Sequence, residues 1–355
     1  MSFVPRAAPP FHGGLDHGEI RALGLDPLEI ADFSSNLNPF FPSSELLAGA
    51  CAGSSAYPDA GYSELRATIA RFHGASADCV FAGNGASEIV HLLCRCLRGG
   101  ETVLVAVPTF SEYERAALIC GARVVRCAAG KDLRFNPSAL VRAIKRHRPA
   151  LVFLCNPNNP TGLLMPDGGT EEVAREAGGA VLVIDESYAD FTERRCDSTP
   201  LAARGGAVVI RSLTKFFGLA GVRMGYAVSS PRITAALNSV RPPWNVNSVA
   251  CRAAEKVFSL PPSAREESRR RLFAARDRLI KRLAGAGKTC LPTDTGFFLV
   301  KQPDARGTRD RLLKKGVAVR DCASFGLPSH IRISAMPERD CEKLLKAWAE
   351  ADGEG

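Results

Sequence analysis

No apolar run in these 355 residues approaches the roughly 20 that a membrane-crossing helix needs. The opening Met1-Ser-Phe-Val-Pro-Arg6 lacks the charged-then-apolar layout of an export signal, so a cytoplasmic protein is expected. Twelve cysteines are scattered along the chain, several in apolar contexts (Cys51, Cys79, Cys120, Cys155, Cys251). In a chain of this size without an export signal, they are expected to be free thiols. Metal-ligand spacing is also missing. His91-x-x-Cys94-x-Cys96 stands on a helical pattern at 87–97 that points Cys94 and Cys96 to different faces, and no second ligand pair follows. No metal is expected. The formal net charge is +9, much of it on Arg-rich helical stretches such as 265–282. Neither interleaved aromatics nor a nucleic-acid module accompanies that charge, which predicts a solvated face and no nucleic-acid partner. A basic balance does suit anionic ligands. Internal repeats and low-complexity stretches are absent.

What the chain does contain is alternation. Strand-like runs at 102–107, 123–127, 151–155 and 180–184 are separated by helical patterns near 111–120, 137–147 and 170–177. That rhythm predicts a largely parallel sheet covered on both faces, in a chain long enough for two domains. A further strand, 207–210, runs into Arg211-Ser-Leu-Thr-Lys-Phe-Phe-Gly-Leu-Ala-Gly-Val-Arg223. Chain leaving the carboxyl end of such a strand is where α/β folds put ligands. Here it places Ser212, Thr214 and Lys215, with Arg223 at the start of the next strand-like run, 224–228. Hydroxyls beside a guanidinium suit a phosphate. A lysine next to them can condense with a phosphate-bearing aldehyde, although a lone S-x-T-K is common and most lysines are solvated.

Other strand ends answer this segment. The run 181–184 ends in Asp185, a carboxylate that needs a partner at the tip of a buried strand; a protonated ring nitrogen is one. Val80-Phe-Ala-Gly83-Asn-Gly85-Ala86-Ser-Glu88 reads as strand, glycine turn and helix start, whose N–H groups suit a phosphate. Asn156-Pro-Asn-Asn159-Pro-Thr-Gly162 is turn chemistry by composition, and Val107-Pro-Thr-Phe110 follows another strand end. The last hundred or so residues predict a smaller α/β unit: strands 296–301, 317–321 and 330–334, helices 308–315 and 337–350. Within it Arg332 faces opposite to Ile331 and Ile333, an ordinary exposed strand arginine by pattern, and Arg320 is a second cationic candidate.

With Asn159, Asp185 and Tyr188 in place, the lysine segment resembles that of pyridoxal-phosphate enzymes of the aspartate aminotransferase fold. From His12 to the last helix, the chain resembles the threonine-phosphate decarboxylases of cobalamin biosynthesis and, near them, the histidinol-phosphate aminotransferases. The first family opens with the same His12-Gly-Gly and a Phe-Ser-x-Asn-x-Asn-Pro segment (Phe33, Ser34, Asn36, Asn38), which the second usually lacks in its His-Gly-Gly part. Tyr188 pulls the other way, since many relatives of the decarboxylase carry phenylalanine there.

The resemblance implies an aspartate-aminotransferase-like α/β fold: an N-terminal segment over the active site (1–40), a large cofactor domain with a mostly parallel seven-stranded sheet (41–245) and a small α/β C-terminal domain (246–355). It implies pyridoxal 5'-phosphate as cofactor, bonded to Lys215, with Asp185 at the ring nitrogen, Asn159 and Tyr188 at the ring oxygen and Phe110 on the ring face. Its phosphate would be held by Gly85, Ala86, Ser212, Thr214 and Arg223, and by Tyr57 of a neighbouring subunit in a homodimer with shared sites. Substrate contacts would come from His12, Ser34, Asn36, Asn159, Arg320 and Arg332, the last gripping a carboxylate. The expected reaction is decarboxylation of O-phospho-L-threonine, a small phosphorylated amino acid, to aminopropanol phosphate. Transamination of histidinol phosphate is the alternative, and a catalytically dead pyridoxal-binding module is a third reading that intact Lys215, Asp185, Asn159 and Arg223 oppose.

Overall fold

The computed structural model describes residues 13–51, 54–194, 196–203 and 205–353. Its strands, in chain order, are β1 (Ala31–Asp32), β2 (Val80–Asn84), β3 (Thr102–Val107), β4 (Arg123–Ala128), β5 (Leu151–Cys155), β6 (Val181–Asp185), β7 (Ala207–Ser212) and β8 (Met224–Ser229), then β9 (Phe297–Lys301), β10 (Val317–Ala318), β11 (Arg320–Asp321) and β12 (His330–Ser334). The apolar runs of β2 to β8 form one seven-stranded sheet in the order β2-β8-β7-β6-β5-β3-β4. Strands β3 to β7 pair parallel, and β8 runs antiparallel to both of its neighbours. An aspartate-aminotransferase-like α/β fold is the result.

Both faces of this sheet are covered, which is why its central strands are apolar throughout. One face packs Leu65, Ile69, Leu140, Ile144, Val173 and Ala250, from helices Ser63–His73, Pro137–His147, Gly169–Glu176 and Ser248–Ser259. The other packs Ile89, Val90, Tyr113, Ala116 and Leu237, from helices Ala86–Arg95, Glu112–Ile119 and Pro231–Val240. Pro261 and Pro262 end one helix and start the next, Pro262–Gly285, where proline's missing N–H costs nothing. Among the described residues no helix is long and apolar enough to cross a membrane. His91 turns its Nε2 to Glu112 at 2.8 Å, and no group of described residues could hold a metal.

The C-terminal part differs from expectation at 317–321. That run is two strands, not one: β10 pairs parallel with β1, and β11 pairs antiparallel with β12. The chain changes partner at buried Val319, because the N-terminal segment supplies a strand to the first half. Ala31 and Phe33 therefore pack with Leu279, Phe298, Val300 and Trp348.

Candidate active site

The carboxyl ends of β5, β6 and β7 and the start of helix Ala86–Arg95 face one cavity. On the β7 side, Ser212 Oγ and Thr214 Oγ1 lie 2.7 Å apart, and the Thr214 N–H reaches Ser212 Oγ at 3.3 Å. Opposite them Gly85 caps the helix with φ 77°, a left-handed conformation. A Cβ built there would come within 2.7 Å of Arg223 Nη2, and one on Gly225 within 2.5 Å of the Ala86 nitrogen. Two glycines thus let a guanidinium and a helix N-terminus close on the same spot as two hydroxyls, a donor set that fits a phosphate dianion. Gly225→Ala must push the helix start away from β8. Cofactor affinity should fall about 100-fold, the order of loss that misplacement by about 1 Å produces; a fluorescence titration of the cofactor-free protein measures it.

Lys215 follows this cradle, and its Nζ donates to the Ser35 carbonyl at 3.0 Å. Burial brings its pKa down from 10.5 to about 8, helped by Arg332 and Arg223 and opposed by Asp32. The neutral, nucleophilic amine therefore becomes populated as pH rises through about 8. Labelling of Lys215 by an amine-directed reagent in the cofactor-free protein should show its midpoint there; a midpoint at the ordinary lysine value would contradict this environment.

Asp185 ends β6, almost fully buried. Its Oδ2 accepts the Tyr113 hydroxyl at 2.7 Å and its Oδ1 the Ser187 N–H at 2.9 Å. Burial raises its pKa, so a cationic partner in the cavity would be welcome. In the Asn156–Gly162 turn, Asn158 is the anchor: it accepts from Thr109 Oγ1 and donates to the Pro108 carbonyl, both at 2.9 Å. Asn159 is left facing the cavity, its Oδ1 accepting from Arg332 Nη1. Tyr188 and Phe110 line the same space, and burial pushes the Tyr188 phenol up to about 12.

Arg320 and Arg332 are direct cross-strand partners on β11 and β12. Both are buried, Arg332 against the exposed-strand reading of its pattern. Arg332 Nη2 donates to the Ser34 carbonyl, and Arg320 Nη2 to Ser324 Oγ at 2.7 Å. Both guanidiniums sit over the Phe325 ring, at 5.4 Å for Arg320 and 5.9 Å for Arg332. Burial and the neighbouring Arg332 bring the pKa of Arg320 down to about 10.

Several expected residues stand elsewhere. Ser34 and Asn36 do not line the cavity; their neighbours Gly13 and Ser35 do. The Ser34 hydroxyl donates to Asp32 at 2.6 Å, and Asn36 accepts from Ser334 Oγ at 2.9 Å while its amide nitrogen lies 3.5 Å from the Tyr188 hydroxyl. Their polar atoms hold the N-terminal segment against the site and are not aimed at a substrate. Tyr57 is 78% exposed and stacked on Trp244 at 4.5 Å, outside its own chain's cavity. His12 lies outside the described residues. Tyr113, Cys155, Ser187 and Phe325 line the cavity without any signal in their local sequence.

A profile described as aminotransferase class I and II matches residues 29–347. The histidinol-phosphate aminotransferase of Moorella thermoacetica is 33% identical over 341 residues, 93% of this chain and 87% of that protein. The crystal structure of histidinol-phosphate aminotransferase from Sinorhizobium meliloti, in complex with pyridoxal-5'-phosphate, superposes with a TM-score of 0.88 at 25% identity, covering 96% of this chain and 95% of the other. An L-threonine-O-3-phosphate decarboxylase from Porphyromonas gingivalis has a TM-score of 0.79 at 24% identity over 92% of this chain and 100% of its own, a likeness of fold alone. These findings overturn the expected phosphothreonine decarboxylation and its place in cobalamin biosynthesis. That expectation leaned on the short N-terminal segment, where Ser34 and Asn36 prove to be occupied by protein groups. The Moorella relative, 33% identical over 93% of this chain, is named an aminotransferase, whereas the decarboxylase shares the fold alone. The cradle, the buried lysine and the buried carboxylate fit pyridoxal phosphate, and the chain belongs to the aminotransferase class I and II family of pyridoxal-phosphate enzymes.

Proposed function

We propose that the protein is a homodimeric aminotransferase that exchanges an amino group between histidinol phosphate and 2-oxoglutarate. The observation that carries this reading is the pair Arg320 and Arg332, two buried cross-strand guanidiniums that line the same cavity as the Ser212–Thr214–Arg223 cradle. A site with one anion pocket for its cofactor and a second for its substrate suits a phosphorylated amine. The same second pocket accepts the carboxylate of glutamate, so both half-reactions can use it.

Ser212, Thr214, Arg223 and the Ala86 N–H would hold the cofactor phosphate, Asp185 the ring nitrogen, Asn159 and Tyr188 the ring oxygen, and Phe110 the ring face. Bound there, pyridoxal phosphate supplies an electron sink for the bond broken at the amine-bearing carbon. Lys215 Nζ, its pKa brought down to about 8, can take the proton from that carbon once neutral and return it. Phe110 and Phe325 flank the cavity and exclude water from it. Purified enzyme given L-histidinol phosphate and 2-oxoglutarate should form glutamate; release of carbon dioxide from phosphothreonine without that product would overturn the reading.

Tyr57, exposed and stacked on Trp244, would reach the cofactor phosphate of the second copy. Mixed dimers of inactive Lys215→Ala and inactive Tyr57→Ala chains should regain activity, because one of their two sites keeps both residues. Demonstrated subunit exchange with no recovery would refute shared sites.

A further inference from the structure

One of the donors that serve Asp185 comes from a residue given no part in the chemistry so far. Tyr113 is 1% exposed, its ring flat against Phe153 (4.9 Å between centroids, 10° between planes) and edge-on to Phe110 (5.6 Å, 81°). Its hydroxyl, beside the Cys155 thiol, donates to Asp185 Oδ2 at 2.7 Å. We propose that Tyr113 is a positioning residue that keeps the Asp185 carboxylate ionised and aimed at the cofactor's ring nitrogen. The proposal rests on the role given above to Asp185.

A carboxylate buried at a strand end tends to take up a proton. Few of the groups around Asp185 prevent this. Cys155, its register partner on β5, has its thiol pushed up to about 12 by burial, and Tyr188 likewise stays neutral. Lys215, Arg223 and Arg332 carry positive charge elsewhere on the cavity wall. Glu186, next in the chain, is matched by Arg211 Nη2 at 2.6 Å. The Tyr113 hydroxyl bonds Asp185 Oδ2 and the Ser187 N–H bonds Oδ1, and the Ser187 side chain also helps to hold the carboxyl pKa down against burial.

Burial and the nearby Asp185 hold the Tyr113 phenol well above its ordinary pKa, so it remains a donor across the working pH range. A donor on each oxygen stabilises the charged carboxylate more than the neutral acid, which is an obstacle to protonation. Removing the phenolic O–H lifts that obstacle and raises the carboxyl pKa.

Tyr113→Phe removes the hydroxyl and keeps both ring contacts. In the cofactor-free protein, the infrared band of the protonated Asp185 carboxyl, assigned by its loss in Asp185→Asn, can be followed against pH. Its midpoint should rise by about one to two pH units in Tyr113→Phe, the equivalent of one lost hydrogen bond to a charged group. In the holoenzyme kcat should fall about 10- to 100-fold with little change in KM. Tyr113→Phe added to Asp185→Asn should cost nothing further, since the tyrosine acts through the aspartate. An unmoved midpoint, with Asp185→Asn still crippling turnover, would reduce Tyr113 to packing. Normal turnover in Asp185→Asn would instead remove the role of Asp185, and this proposal with it.

Discussion

Lys215→Ala is expected to abolish turnover, by at least about 10⁴-fold, and to erase the visible absorption band of the bound cofactor. Lys215 is the one lysine lining the cavity, and it stands beside the hydroxyl pair that fits the cofactor phosphate. The stability change should run the opposite way to the activity. Its pKa is about 8 in the folded chain against 10.5 ordinarily, so below about 8 the unfolded chain holds this proton more readily than the folded one. That penalty on folding is full below about 8 and disappears as pH rises past 10.5. Alanine carries no such penalty. The cofactor-free variant should therefore melt above cofactor-free wild type at neutral pH and lose that advantage in strong alkali. A variant that keeps the band and the activity would sink the assignment of Lys215. One that melts lower at neutral pH would show that the Ser35 contact outweighs the buried charge.

Asp185→Asn is expected to lower kcat by roughly 10²–10⁴-fold while the cofactor still binds, because the phosphate cradle is untouched. The charge lost is a buried one, and uncoupling a buried charge pair costs about 3–5 kcal/mol. Asparagine has the same shape and can still accept the Tyr113 hydroxyl, so the fold should survive. Near-normal turnover would mean that the ring nitrogen does not depend on this carboxylate.

How legible the site was depended on where each residue sits on its element. Asp185, Asn159 and Lys215 lie at or just past the ends of apolar strand runs and Arg223 just before the start of one, and a polar residue at the edge of a buried run is visible without any structure. Tyr113 was not visible. It shares a helix face with Ala116 and Ala117 and reads as core, which most of its ring is. Phe325 sits in a short loop turn that carries no periodicity. The break at Val319 was hidden because β10 and β11 have two residues each, too few to show alternation or a change of partner. The N-terminal motif misled for a different reason. Ser34 and Asn36 have side chains suited to a phosphate, and sequence gives no sign that Asp32 and Ser334 already engage them. Nor does any motif record which bond at the substrate carbon stands perpendicular to the cofactor ring, and that angle separates transamination from decarboxylation.

The pairing of β1 with β10 sets an order of events during synthesis. Ala31 meets Val317, and the Ser334 N–H meets the Phe33 carbonyl, so the first strand made waits for the last ones before it has neighbours. Contacts this distant along the chain close late. The segments of the phosphate cradle, from Gly85 to Arg223, leave the ribosome well before Arg320 and Arg332 exist. The cradle segments are thus made ahead of the two arginines, and the Ser34 carbonyl can meet Arg332 only after the 298 residues that separate them have been added.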